Sequence, residues 1–164
     1  MAVYVATNTT VLVGSAITGT APGGSATPAG TIASAVDISS WLESVTFEYE
    51  GDVLEYTNFS SAGFRQKAIG LISGTVQLNF NQDFVASNVE TTFGLGGTLG
   101  LVSGQVSPYF IDIKPTSAGR SSGNPSFFAA WLNTGFSSIN AAVGDLAKTA
   151  ATFPLTGRFI RLVA

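Results

Sequence analysis

The sequence predicts an all-β domain, a β-sandwich or partly closed barrel with one or two short helices. Three observations carry this reading. Apolar and polar residues alternate with a period of two through the middle of the chain. A helical period is almost absent. Nineteen glycines and six prolines punctuate the remainder. Successive side chains of a strand face opposite ways, so an alternating segment has one face for a core and one for polar surroundings.

Val45, Phe47 and Tyr49 alternate with Thr46, Glu48 and Glu50. Ile72, Gly74, Val76, Leu78 and Phe80 alternate with Ser73, Thr75, Gln77, Asn79 and Asn81. These are the clearest strands. Residues 3–13 are rich in Val and Thr and read as extended. Residues 109–114 form a short strand stopped by Pro115. Residues 127–136 are apolar and aromatic, and consecutive Phe127 and Phe128 must point to both faces. Residues 148–155 and 158–163 read as two strands joined near Thr156-Gly157, with Pro154 at an edge or a bulge because it has no N–H to donate. Helical signal is confined to one turn over 37–42, with Asp37 or Ser39 as cap, and one over 88–93. Ala-rich residues 141–151 read as a loop and then a strand, because Gly144-Asp145 breaks them. Residues 14–34 read as a long loop or arm, and 117–125 as a second polar loop. The whole, residues 1–164, reads as a single domain.

Composition excludes much chemistry. The chain has no Cys and no His, so it has no disulfide framework, no thiol nucleophile and no Ser-His-Asp triad. Its net charge of −3 is opposite to a basic grip on phosphates. Residues 94–100 place Leu99 where the third glycine of a dinucleotide fingerprint belongs, and no Walker loop occurs. Charged residues are 10% of the chain and hydrophobic ones 45%. Stretches 1–36, 91–111 and 121–144 carry no charge, yet each is too broken by Gly, Pro and polar residues to span a membrane as a helix. The start of the chain lacks a basic and then apolar leader pattern, so no secretory signal is expected. The glycosylation patterns at Asn8 and Asn58 are therefore read as chance. A neutral, small-featured surface of this kind suits being covered by other chains, or belongs to a neutral secreted β-domain.

The densest feature is acidic. Glu43, Glu48, Glu50, Asp52 and Glu55 hold half of the 10 acids. Glu48 and Glu50 share one strand face. Paired carboxylates with Trp41, Tyr49 and Tyr56 as stacking rings fit a sugar-binding or glycosidase sandwich. The plainer reading, which the sequence favours, is an acidic strand face without chemistry. The basic residues are scattered apart from Arg65 and Lys67 beside Phe64, which reads as a solvated or intersubunit loop.

The order of several segments carries a resemblance. These are Val36-Asp37-Ile38-Ser39 leading to Val45-Thr46-Phe47, then Phe64-Arg65-Gln66-Lys67-Ala68-Ile69-Gly70, and then Gly74-Thr75-Val76-Gln77-Leu78-Asn79-Phe80 with Asp83-Phe84. Ile113-Lys114-Pro115-Thr116-Ser117, Asn124-Pro125-Ser126-Phe127, Val143-Gly144-Asp145-Leu146 and Phe153-Pro154-Leu155-Thr156-Gly157 follow. Over residues 36–164 this order resembles the major tail (tail tube) proteins of long, non-contractile-tailed phages, especially actinophages. The resemblance implies a structural virion protein and no enzyme. It further implies that six copies form a ring, that rings stack into a tube that conducts the genome into the host, and that inner strands form a shared lumenal barrel.

The implied lumen lining falls on Thr46, Glu48, Glu50, Ser73, Thr75, Gln77 and Asn79. The implied inter-ring or inter-subunit residues are Asp52, Glu55, Phe59, Phe64, Arg65 and Lys67, on a long loop over 51–70. Implied partners are further copies of the chain, with tape-measure, tail-terminator and distal tail proteins, and double-stranded DNA in transit without specific binding. No membrane, cofactor, metal site or catalytic residue is implied. The place is the phage tail of a virion, made in the bacterial host cytoplasm. The alternatives are the carbohydrate-binding or glycosidase sandwich and another virion β-domain, a decoration or minor tail protein.

Overall fold

The computed structural model describes residues 8–19, 31–57, 64–84, 88–101, 107–138 and 140–163. Nine strands and one helix follow in order: β1 (Thr10–Gly14), β2 (Ala16–Thr18), β3 (Thr31–Ala33), β4 (Val36–Asp37), β5 (Leu42–Tyr56), β6 (Gln66–Asn81), α1 (Val89–Phe93), β7 (Tyr109–Lys114), β8 (Ser126–Trp131) and β9 (Lys148–Leu162). Seven of them make one antiparallel sheet in the order β4-β1-β7-β8-β9-β6-β5, and β2 pairs with β3 alone. The expected all-β architecture with a short helix is what the chain adopts.

The alternation read from the sequence builds the core. Val76, Leu78 and Phe80 of β6 are fully buried, as are Phe153 of β9, Ile111 of β7, Trp131 of β8 and Val11 and Val13 of β1. Helix α1 adds Val89 and Phe93. Phe93 meets Phe80, Trp131, Phe136 and Phe153 with ring centroids 5.0–6.1 Å apart. Such aromatic contacts add about 0.5–1.5 kcal/mol each beyond the area they bury. The loop after α1 is tied down by Asn133, whose amide donates to the carbonyls of Phe93 and Leu99. Tyr109 donates its hydroxyl to Gly100 O at 2.9 Å, and burial pushes its phenol above the ordinary value.

Strand β7 is buried on both faces. Its second face carries Phe110, which stacks on Phe128 and is covered by Ile32 of β3 and Ile17 of β2. The expectation of a free loop over 14–34 is therefore corrected at its ends. Two short apolar triplets, Ala-Ile-Thr and Thr-Ile-Ala, pair as a hairpin because Ile17 and Ile32 cap this second cluster. Phe127 and Phe128 do face opposite ways, Phe127 toward the main core.

Three other expectations change. Residues 148–162 are one strand, not two. β9 pairs with β6 from Lys148 to Pro154, then with β8 from Leu155 to Leu162. Gly157, at φ 70°, forms a bulge there rather than a hairpin, since a left-handed residue inserted in a strand bends it without reversing it. Pro154 occupies the last place on the β6 ladder, and its carbonyl accepts from Leu132 N–H at 3.1 Å. Strand β8 ends at Trp131, and 132–137 are irregular. The loop expected over 51–70 is mostly strand, because β5 continues to Tyr56 and β6 begins at Gln66. The 37–42 segment is a turn in which Asp37 accepts from Ser39 N–H.

One charged group lies under the 115–125 loop. Buried Asp112 accepts from the Ser126 hydroxyl and pairs with Arg120 at 2.8 Å. Asn124 completes the anchor: its side-chain carbonyl accepts from Thr116 N–H at 3.0 Å, and its amide donates to Ala118 O at 2.9 Å. Asp112→Ala removes the acceptor shared by Ser126 and Arg120. It is expected to lower unfolding stability by about 1.5–3 kcal/mol, measured as a lower urea midpoint with an unchanged slope.

Candidate functional site

The candidate site is the β5–β6 hairpin. Its strands hold 15 and 16 residues, about 46 Å at the usual rise per residue. The pairing sets Thr46 opposite Gln77, Glu48 opposite Thr75, and Glu50 opposite Ser73. Asn79 lies opposite Ser44 and donates its amide to the Ser44 hydroxyl at 2.6 Å. All seven residues expected to line a lumen thus share one face of one hairpin. Four of them, Glu48, Glu50, Ser73 and Gln77, are exposed, and Thr46, Thr75 and Asn79 are half-buried. No cation stands among them. Trp41, offered by the sequence as a sugar-stacking ring, instead packs against the core. Among the described residues no cluster of acids is arranged to hold a metal ion.

The edges of this hairpin are open. Strand β5 ends the sheet. Strand β6 meets β9 only from Thr75 to Asn81, so from Gln66 to Gly74 its described partner is β5 alone. A cleft of about 590 Å³ opens where β9 departs, between Glu48, Glu50, Ser73, Pro154 and Leu155. An unpaired strand edge is a template for another strand.

Polar alternation stops at Asp52. The register shifts between Gly51 and Val53, with one extra residue on β6. Beyond it Val53 faces Ile69 on one side, and Leu54 faces Ala68 on the other. Apolar side chains therefore stand on both faces of the outer hairpin. Ile69 is 76% exposed, Leu71 81% and Phe64 76%. Phe64 is among the residues implied at subunit contacts, but the rest of this apolar surface is not. Its signal is the run of adjacent apolar residues at Val53-Leu54 and Leu71-Ile72, which breaks the period of two.

The residues expected at contacts between subunits sit along this outer part. Asp52 is exposed beside the polar face. Glu55 draws both cations of the tip, Arg65 at 3.6 Å and Lys67 at 3.8 Å. These long, solvated pairs contribute little. Phe59 lies outside the described residues.

No protein-family model and no curated protein matches this sequence. Solved structures do. One is a chain of an extracellular contractile injection system, in its PVC sheath-tube complex in the extended state. It aligns with a TM-score of 0.61 at 16% identity, covering 96% of this chain and 89% of that one. A chain from the tail of an empty gene transfer agent particle, refined with C6 symmetry, gives 0.53 at 12% identity, covering 80% and 88%. A chain of the anti-feeding prophage cap, which terminates its tube, gives 0.51 at 14% identity, covering 94% and 88%. These likenesses establish the fold: a β-rich, tail-tube-like architecture.

Gly74 sits where the hairpin leaves the core. A Cβ there would lie 2.8 Å from Leu155 Cδ1 and 2.9 Å from the Glu48 carbonyl oxygen. Gly74→Ala is therefore expected to lower stability by about 1–3 kcal/mol through overpacking against backbone. Gly119→Ala, at a site open to solvent, is expected to stay within about 0.5 kcal/mol. Thermal melting of the two variants measures the difference.

Proposed function

We propose that the chain is a structural subunit of a tail tube, assembling into hexameric rings that stack around a channel for double-stranded DNA. The observation that carries this reading is the two-faced hairpin: seven polar residues without a cation on one face, apolar residues on the other, and open edges on both sides. Pairing β5 and outer β6 with neighbouring copies closes the open edges into a barrel, whose apolar face rests on each copy's own core at Val76 and Leu78. The polar face then looks into the bore. Repeated around a ring, Glu48 and Glu50 give phosphates no counter-charge, and their repulsion is screened within about 8–10 Å. DNA slides because nothing holds it.

Two supports lie outside the site. The solved chains of this fold come from a sheath-tube complex, a C6-symmetric tail and a tube cap. The segment order in the sequence points to the tube of a long, non-contractile phage tail, with tape-measure, terminator and distal tail proteins as neighbours in the virion. The chemistry required is self-association, and no residue is assigned to catalysis.

Negative-stain imaging of the concentrated protein tests the reading. Annular particles and hollow tubes are expected, and a persistent monomer with sugar-cleaving activity overturns it. Glu48→Gln with Glu50→Gln is expected to leave assembly intact. Glu48→Lys with Glu50→Lys is expected to make tubes retain DNA, with retention falling steeply between low and moderate salt. A co-sedimentation assay measures both, and a charge reversal without effect on DNA removes these residues from the bore.

A further inference from the structure

The turn that leads into β9 is a small apolar knob. Asp145 N–H donates to Ala142 O at 3.2 Å, and Gly144 takes φ 90° within the turn, a conformation open to glycine. Two bonds hold its base, Gln82 N–H to Ala147 O at 2.8 Å and Lys148 N–H to Asn140 O at 3.2 Å. The turn sets Val143 fully in solvent and Leu146 at 78% exposure. Between them Asp145 is exposed, and no cation pairs with it among the described residues. Residues 140–147 carry no other charge.

The far end of β9 borders a pocket. About 370 Å³ lies open between Phe47, Tyr49, Phe127, Phe159 and Arg161. Phe159 meets Phe47 and Tyr49 with ring centroids 5.7 and 4.8 Å apart. Phe47, Phe127 and Phe159 are half-buried against the main core, so the pocket is an unfilled mouth of that core. Arg161 stands exposed at its rim. Its guanidinium donates to Ser122 O at 3.3 Å and meets no carboxylate among the described residues.

We infer that the 143–146 knob of one copy seats in the aromatic pocket of the next, with Asp145 paired to Arg161. The knob is convex, apolar and acidic. The pocket is concave, aromatic and basic, with room for the two aliphatic side chains. Opposite charge fixes the register, and apolar burial supplies the free energy. The other exposed apolar turn, at Leu95, lies in residues 94–100, which hold no acid to offer Arg161. No copy fills its own pocket, because roughly 40 Å of β9 separates Lys148 from Ile160. A contact between two different surfaces passes from copy to copy. The inference rests on the proposed tube and supplies a contact along its axis, since knob and pocket lie at opposite ends of one strand.

Charge reversal and cross-linking test it separately. Arg161→Glu is expected to keep rings, seen by negative stain and mass photometry, while tube yield falls about tenfold through like-charge contact. Adding Asp145→Arg to that variant is expected to restore much of the yield. Unchanged melting temperatures show that the variants are folded. The chain has no Cys, so Val143→Cys with Tyr49→Cys introduces its only thiols while both charges stay in place. Mild oxidation of these tubes is expected to give a disulfide ladder extending beyond six copies on a non-reducing gel. Wild-type tube yield from Arg161→Glu, no rescue by Asp145→Arg, no ladder, or a ladder ending at six, which places the contact within a ring, each overturns the inference. If the wild-type chain forms neither rings nor tubes, the proposed function falls with it. If wild-type tubes form and these variants show none of the expected changes, only the knob-and-pocket contact falls.

Discussion

The fold turns on the place where β9 changes partner. Up to Pro154 it is hydrogen-bonded to β6, and from Leu155 it belongs to β8. A proline at that point loses no ladder bond, and the Gly157 bulge lets the strand bend. One strand therefore joins β8 to β6 in a single sheet and leaves half of β6 unpaired on that side at the same time. The inner half of the β5–β6 hairpin is a core element with Val76, Leu78 and Phe80 fully buried. The outer half is an arm on which Val53, Leu54, Ile69, Leu71 and Ile72 are all more than half exposed. Had β9 continued along β6, that edge of the arm would be hydrogen-bonded within the chain rather than open.

This division explains the composition. A chain with 10% charged residues carries far less charge than the roughly 25–35% advised for the surface of a dispersed monomer. Of the charged residues it has, Glu48 and Glu50 stand on the polar face of the hairpin, and Arg65 and Lys67 stand beside Glu55 on its outer part. Exposed apolar patches on such a scale mark surfaces to be covered. The buried Asp112, with Arg120 and Ser126, serves a different end, since it pins a loop rather than an interface.

Legibility from sequence followed the range of the interactions. The strands at 45–50 and 72–81 were readable because their alternation is set by local pleat geometry, and with them came all seven residues of the polar face. Helix α1 was readable from the glycines that end it. The outer hairpin was read as a loop because adjacent apolar residues do not alternate. They are strand residues with two faces to hide, which a rule built on one buried face does not describe. Residues 148–163 were split in two because Pro154 and Gly157 are turn signals locally. Only the switch of tertiary partner gives them a different use. Pairing of 16–18 with 31–33 was invisible for the same reason: three residues carry no period, and Ile17 and Ile32 are drawn in by Phe110 and Phe128.

That small hairpin has an effect on how the sequence is free to vary. Its last pair, Thr18 with Thr31, is fastened over the second apolar cluster. Whatever connects them starts and finishes on a fixed footing. Doubling the length of such a connection costs about 0.6 kcal/mol, far less than disturbing the cluster beneath. By closure entropy alone, a longer connection between Thr18 and Thr31 is expected to cost the fold little.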